Sequence, residues 1–503
     1  MTLFKKFKHL FDPIDLTKGS ITKDLILFLI PTVLSLIFQQ IYSLTDAIIA
    51  GQYLSETEIA GLNDAVPLVN MALNFTWGCT SGFSVIVSNK IGAKNPDDAR
   101  KSFWLQAWLS LVVTVILTIS IICCINPLLK FIGVVPSTEG SEMNNVYIAA
   151  ATYVFVISLG IIAQVSYNWI ISTLRALGDS FTPFLFLVFS TLINIGLDFA
   201  FIVGCHLGVA GAALATILSE LLAAIGSCIY TFLRYKSLRY RKGDFKVSWN
   251  FVKQHLRLGL PLGFQYAILQ IGIIIMQAAI VKYDYVDSTG ADFVLNTPAQ
   301  LGYSVANKLD GLLMSPLSAL GTSMLSYIGQ NYGAHDEDRI KKGYRDSLII
   351  GLCAWIFVMT VGLLMTINGA YQYVFLADDK VTATTLRYGN AYLYIACPCL
   401  GILMVLFVTR NTLQGLNKPL FPFLAGIGEL FARSLICLYA PALINGGAID
   451  STASIESFYF VCAADPLAWL VASCILLIPM VSLLVKSHKK NKQLISLSNN
   501  EKK

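Results

Sequence analysis

The chain has 503 residues, 55% of them apolar and only 13% charged, with a mean hydropathy of +0.66. Soluble proteins carry about 25% charge, and here apolar runs of roughly 20 residues or more, long enough to cross a bilayer, recur along nearly the whole sequence. Disorder, a secreted disulfide scaffold and a soluble nucleotide-binding enzyme are excluded as whole-chain readings, and the net charge of +6 reads as membrane topology rather than affinity for nucleic acid.

Ahead of the first apolar run, Phe4, Phe7, Leu10 and Phe11 interleave with Lys5, Lys6 and Lys8, which suits either a short interfacial helix or a frayed tail. The run itself starts at Leu25 and has no small-residue cleavage site after a short apolar core, so it is expected to stay as a span. Apolar runs between charged or turn-forming breaks predict spans at 25–53, 59–87, 103–125, 147–172, 181–203 and 210–232. Six more are predicted at 256–281, 303–328, 347–367, 386–409, 421–444 and 458–485. The expected fold is an all-α integral membrane protein of twelve transmembrane helices in two pseudo-symmetric six-helix lobes. The corresponding divisions are a cytoplasmic N-terminal segment (1–23), an N-terminal lobe (24–233), a basic linker (234–251), a C-terminal lobe (252–486) and a cytoplasmic tail (487–503).

With both termini cytoplasmic, only Lys130, Lys282, Lys380 and Arg387 of the 36 Lys and Arg fall outside. Lys308 and Arg433 fall within spans and the rest lie inside, as the cytoplasmic excess of cations requires. The linker concentrates Arg234, Lys236, Arg239, Arg241, Lys242 and Lys246 against Asp244. Most of the 11 cysteines, among them Cys79, Cys123, Cys124, Cys353 and Cys474, sit in apolar runs where a thiol packs as a small hydrophobe. Cys397 and Cys399 flank a proline without forming a redox pair, and no Cys/His spacing suits zinc.

Two stretches repeat. Residues 91–101, from Ile91-Gly92-Ala93-Lys94 onward, recur at 332–342 as Tyr332-Gly333-Ala334-His335; Thr173-Leu174-Arg175-Ala176-Leu177-Gly178 recurs as Thr412-Leu413-Gln414-Gly415-Leu416-Asn417. The nearly equal offsets and the matching places in the span order indicate a parallel repeat, since six spans is an even number. Parallel halves with a cleft that opens to either side are the geometry of alternating access, so a carrier is expected.

Charges inside spans cost several kcal/mol each and need a partner, a wet cavity or a function. The candidates are Asp46, Asp198, Glu220, Lys308, Asp310, Glu429 and Arg433. Glu429 and Arg433 stand at i, i+4 and are expected to pair, and Lys308 and Asp310 are expected to reach the headgroups from the outer end of their span. Asp46 and Asp198 lie roughly 12 and 9 Å below the outer ends of spans one and five, at 1.5 Å per residue. Thr216 lies roughly 12 Å down, and Asn194 roughly 15 Å down on the face of Asp198. Four polar side chains from three helices therefore share one level. Such a cluster takes up a proton, ligates a sodium ion at Asp46 and Asp198, or only bonds the helices together.

The sequence resembles the multidrug and toxic compound extrusion family from about residue 15 to 485. The resemblance rests on Asp15-Leu16-Thr17-Lys18-Gly19-Ser20, the Gln39-Gln40-Ile41-Tyr42-Ser43-Leu44-Thr45-Asp46 stretch ending in Gly51, the Gly92-Ala93-Lys94 loop, Arg175-Ala176-Leu177-Gly178-Asp179 and Asn194-Ile195-Gly196-Leu197-Asp198. It implies a two-lobed, twelve-helix antiporter exporting amphipathic, often cationic compounds against protons or sodium, with Asp46, Asn194, Asp198 and Thr216 as the cation-coupling residues. A family branch that uses acids of the C-terminal lobe fits less well, because span seven offers Gln265, Gln270 and Gln277 and span ten no acid.

Gln39, Tyr42, Met71, Phe75, Tyr167, Gln265, Met276 and Met314 are expected to line the substrate cleft, with Trp77 a further candidate, since aromatic and Met side chains adapt to flat lipophilic cations. The expected partners are a small-molecule substrate and the lipid bilayer, with no nucleic acid and no cofactor beyond the coupling ion. The chain is expected to work as a monomer in the plasma (cytoplasmic) membrane, multi-pass, with both termini cytoplasmic. The alternative is a flippase for lipid-linked precursors, which the scarcity of Lys and Arg inside the spans disfavours. An enzyme is not expected: the five histidines form no metal-binding pattern, and no phosphate-binding loop is present.

Overall fold

A computed structural model describes residues 12–137, 141–284, 297–376 and 381–500, with side chains described to residue 485. The interfacial helix considered for residues 4–11 lies outside the described residues. Among the described residues the chain forms helices and turns without strands. The first six long helices are α1 (Ile21–Tyr53), α2 (Glu56–Gly92), α3 (Pro96–Cys123), α5 (Glu142–Ala176), α6 (Phe181–Asp198) and α7 (Gly208–Arg234), with short α4 (Ile125–Phe131) after α3. Then come α8 (Trp249–Val281), α9 (Pro298–Gly333), α10 (Glu337–Thr366), short α11 (Ala370–Phe375), α12 (Ala383–Gly415), α13 (Leu420–Asn445) and α14 (Ile455–Asn500). Each of the twelve predicted spans is thus a helix, usually longer than its apolar run by the capped turns at its ends.

Ten of the twelve are apolar enough to cross a membrane by length and composition; α2 and α9, the second helix of each half, fall short. Their polarity is turned inward. In α2, Thr76, Thr80, Ser81, Ser84, Ser88 and Asn89 are buried, and in α9 so are Ser315, Ser323, Ser326, Gln330 and Asn331. Serine and threonine hydroxyls satisfy themselves on the carbonyl three or four residues back, as Ser84 does on Ser81 (2.7 Å) and Ser323 on Ala319 (2.8 Å). Small side chains also let backbones approach: a Cβ on Gly78 would stand 2.7 Å from the Leu262 carbonyl, and one on Gly82 2.6 Å from the Cα of Gly259. Two glycines four residues apart on α2 therefore meet Gly259 and Gly263, spaced alike on α8, in the close packing that membrane helices use.

Contacts divide the chain into two compact units, one of Met1–Gln270 with Gly329–His335, the other of Ile271–Ile328 with Asp336–Lys503. Helices α8 and α9 are each shared. The basic stretch after α7 is fastened within the first unit: Arg100 of α3 chelates Asp244 (3.0 Å), and the Trp104 indole donates to the Leu238 carbonyl (3.1 Å).

The sequence repeat is a repeat of helix ends. After α5, Gly178 takes a left-handed φ of +88°, its N–H donates to Arg175 O, and Asp179 N–H reaches back to Leu174 O. After α12, Asn417 (φ +59°) donates to Gln414 O, and Lys418 donates to Leu413 O. These are the paired bonds of a Schellman cap. Lys94 (φ +55°) and His335 (φ +57°) reverse the chain after α2 and α9, and Asn95 and Asp336 then cap the next helices by accepting from Asp98 N–H (3.1 Å) and Arg339 N–H (2.9 Å).

The N-terminal segment is strapped across these ends within the first unit. Ile14 N–H donates to Gly178 O (3.0 Å), Leu16 N–H to Gln330 Oε1 (3.2 Å), and Asn331 Nδ2 to Leu16 O (3.0 Å). The Leu16 side chain is fully buried. Only glycine fits at 178, where an added Cβ would stand 2.1 Å from the Ile14 carbonyl. Gly178→Ala should therefore release the strap and lower the thermal unfolding midpoint, by an amount comparable to Leu16→Ala, about 2–5 kcal/mol. Lys94→Gly should raise the midpoint, because it removes a left-handed strain of about 1 kcal/mol.

Candidate functional site

Three helices of the first unit each present two polar residues one turn apart: Tyr42 and Asp46 on α1, Asn194 and Asp198 on α6, Thr216 and Glu220 on α7. The i, i+4 spacing stacks each pair on one helix face. The faces converge. The Tyr42 hydroxyl donates to Thr216 Oγ1 (3.3 Å), which itself donates to the Ala212 carbonyl (3.2 Å). The Asp46 carboxyl lies within hydrogen-bonding reach of Asp198. From α5, Tyr153 faces Asp46, Asp198 and Glu220, and Gln164 reaches Glu220.

Asp198 is fully buried and Asn194 is 1% exposed. Neither oxygen of Asp198 and neither amide atom of Asn194 has a hydrogen-bond partner among the described residues, and no ion pair among them includes Asp46, Asp198 or Glu220. Two adjacent carboxylates are both acceptors, so they cannot satisfy each other until one positive charge, a proton or a small cation, joins them. Asp198 also ends the regular part of α6. Residues Phe199–Gly204 continue as a π-helical turn, with Cys205 N–H bonding to Ala200 O five residues back, a widening that often accompanies functional positions.

An apolar layer closes the site toward the neighbouring helix ends. Ile49 and Ala50 of α1, Leu54 just after it, Ala149 of α5, Ile202 of the π turn and Val209 and Ala212 of α7 form one buried cluster, with Tyr153 and Ile195 packed against it. Every contributor lies within about a turn or two of a polar residue of the site. The buried members of this cluster carry no polar or charged side chain.

The structure brings the four expected coupling residues together. The sequence marks Glu220 only as an intramembrane charge and does not point to Tyr153 or Gln164; the signal for Glu220 is its place one turn from Thr216. The expected cleft residues disperse. Tyr42 belongs to the polar site, and Met71 and Phe75 line an apolar cavity of about 550 Å³ with residues of α3, α5 and α8 such as Ile116, Ile157 and Phe264. Tyr167 packs against the Phe103 and Ile170 cluster, Gln39 is exposed, and Gln265 is buried on α8. Trp77 packs edge-on against Tyr266 at 4.7 Å. Met276 and Met314 belong to the second unit.

Four charges of the second unit, Arg410, Glu429, Arg433 and Asp465, are paired instead. Arg433 Nη2 donates to Glu429 Oε1 (3.3 Å) as the spacing predicted, but Arg433 Nε also donates to Asp465 (2.6 Å) and Arg410 Nη2 to Glu429 Oε2 (2.7 Å). Arg410, placed by the sequence at the inner end of its span, is a buried member of this network. Asp310, expected to reach the headgroups, does not: it is 1% exposed and accepts from the Tyr392 hydroxyl (3.2 Å), because it faces inward while Lys308 takes the exposed side.

Among known proteins, the pattern of the MatE family matches residues 31–200 and 301–436. A probable multidrug resistance protein, YoeA of Bacillus subtilis, is 26% identical over 396 residues, 76% of this chain and 81% of its own. The probable multidrug resistance protein NorM of Thermotoga maritima is 25% identical over 353 residues, 69% and 70% of the two chains. A solved structure described as the outward-facing conformation of a multidrug resistance MATE family transporter of the MOP superfamily superposes with a TM-score of 0.79 over 95% of this chain and 99% of that one, at 20% identity.

The orphaned amide at 194 gives a test of what the polar site is for. Asn194→Leu removes a buried group whose unmet hydrogen bonds cost about 1–3 kcal/mol, so the thermal midpoint should hold or rise. A fall would identify the cluster as structural.

Proposed function

The chain belongs to the MATE family of multidrug efflux transporters, and on that premise we propose that it is a secondary antiporter exporting amphipathic, cationic small molecules against an inward flow of protons or sodium ions. The reading places it in the plasma membrane with both termini cytoplasmic, working as a monomer by alternating access. One observation carries the coupling: Asp46 and Asp198 adjoin, Asp198 is wholly buried, and no basic side chain among the described residues neutralises them.

In a low dielectric that pair demands one positive charge at a time. A proton can bridge the two carboxyls; a sodium ion would use their oxygens with those of Asn194 and Thr216. A cationic cargo is drawn by the same negative charge, so its arrival and the coupling ion's arrival oppose one another. Exclusive occupancy by one or the other is what exchange transport requires, since the coupling free energy of two ligands is reciprocal. Tyr42 and Tyr153 supply aromatic faces beside the acids, which suit a flat lipophilic cation.

The test is dye efflux from liposomes holding the purified protein, driven by a pH gradient and separately by a sodium gradient. Asp46→Asn and Asp198→Asn should each bring efflux to the level of protein-free liposomes, whichever gradient drives the parent protein. Tyr42→Phe, which removes one hydrogen bond worth about 1 kcal/mol, should slow efflux by no more than about tenfold. Undiminished efflux in both Asn variants would remove the pair from the mechanism.

A further inference from the structure

The stretch between α7 and α8 holds a charge imbalance for which export has no use. Residues 234–257 carry eight Lys and Arg against one acid, Asp244. That acid is withdrawn from the surface. It is 2% exposed, both of its oxygens accept from Arg100 Nε of α3 at 3.0 Å, and one of them also accepts from the Arg241 backbone N–H at 2.6 Å. The cations stay outside. Among the described residues Lys236, Arg239, Lys242 and Lys246 are exposed and form no ion pair. Arg241 Nη1 stands 3.6 Å from Asp97 with both side chains well exposed, too loose a pairing to cancel its charge.

The stretch is folded, and its fold gathers these cations. Gly243 turns the chain with a φ of +105°, Asp244 N–H donates to Arg241 O (3.1 Å) and Lys246 N–H to Gly243 O (2.9 Å), so Arg241, Lys242 and Lys246 share one tight turn. Rings stand among them. Tyr240 and Phe245 adjoin at 5.7 Å and pack edge-on against Trp104 at 5.7 and 6.3 Å, and Trp104 in turn stacks on Phe232 of α7. Tyr240 and Phe245 nevertheless remain half exposed, and Trp249, the first residue of α8, is 71% exposed. Exposed rings beside unpaired cations suit the boundary between water and lipid, where rings rest among the upper acyl chains and cations meet phosphates. Both ends of the stretch are fixed at such a boundary, since Arg234 ends one span and Trp249 begins the next.

We propose that residues 239–249 bind the headgroup of an anionic phospholipid such as phosphatidylglycerol, with Arg241, Lys242 and Lys246 toward its phosphodiester and Tyr240, Phe245 and Trp249 against its glycerol and upper acyl chains. Drawing Asp244 under Arg100 is what gives the surface its selectivity: an acid left outside would pair with the neighbouring lysines and repel a phosphate. A general excess of cations on one side of the membrane requires neither a buried acid nor exposed rings. Nucleic acid, the other polyanion to consider, fits less well, because the surface is held between two spans where lipid is the neighbouring molecule. The orientation proposed above makes this the cytoplasmic leaflet, but the binding depends neither on that orientation nor on the Asp46 and Asp198 pair.

Trp249 reports on the site. Full-length protein in phosphatidylcholine nanodiscs receives a minor share of either brominated phosphatidylglycerol or brominated phosphatidylcholine, and quenching of Trp249 is read as the difference from Trp249→Phe, since the chain has seven tryptophans. Nanodiscs leave both faces open and involve no transport, so the result is independent of the export reading. Phosphatidylglycerol should be preferred by at least about fivefold, which is what one fully engaged cation supplies. Arg241→Gln, Lys242→Gln and Lys246→Gln together should bring the preference close to one with the thermal midpoint unchanged. Neutralising Lys341, Lys342 and Arg345 in the first turns of α10 in the same way should leave it intact. Raising sodium chloride to about 1 M, where the Debye length is about 3 Å, should erase the preference in the parent protein, a check that decides even if the triple variant fails to fold. Equal quenching by the two lipids, equal loss in both triple variants, or displacement of the lipid by soluble glycerol phosphate at matched ionic strength overturns the proposal.

Discussion

Charge inside hydrocarbon has to be answered by opposite charge, and the two units of this molecule answer it in different ways. In the second unit the answer is built in: Arg433 holds Asp465 and Glu429, and Arg410 holds Glu429 from another helix. In the first, Asp46, Asp198 and Glu220 meet tyrosines, amides and a threonine but no cation among the described residues. An acid whose partner is part of the protein is a brace, and one whose partner must come from solution is a receptor. Removing one member of a buried pair leaves the other uncompensated, which is why such groups tolerate so little change.

Hydropathy made the fold legible, because the penalty for an unsatisfied backbone in lipid forces each long apolar run into a helix. Even α2 and α9, too polar to pass as spans by composition, were recognisable by their length and by matching places in the order of helices. The polar cluster of the first unit was legible for a similar reason: Asn194 and Asp198 show their i, i+4 stacking in the sequence, and Asp46 stands out as a charge within an apolar run. The rest depended on contacts between distant parts of the chain. Nothing near Asp465 marks it as the partner of Arg433, 32 residues earlier, and nothing near Leu16 announces Gln330 and Asn331, more than 300 residues later. Asp310 was misread because depth along a helix does not tell which way a side chain faces.

Small residues do work here that large apolar ones do in a soluble core. Lipid is as apolar as leucine, so helices gain little by burying leucine against each other and more by approaching closely. Gly78 and Gly82 meet Gly259 and Gly263 backbone to backbone, and the serines of α2 and α9 fold their hydroxyls onto their own helices. The larger side chains are thereby left to face outward, as Leu192, Phe357 and Leu443 do.

The caps after α2, α5, α9 and α12 hold a historical record. Gly178 and Asn417 differ in identity, as do Lys94 and His335, yet each pair turns the chain through the same left-handed residue with equivalent bonds. Matching turns at matching places in two halves are what tandem duplication of a six-helix ancestor leaves behind, even where the residues at the turns differ. Because six crossings return a chain to the side from which it started, two copies of that ancestor could be fused end to end without inverting either one.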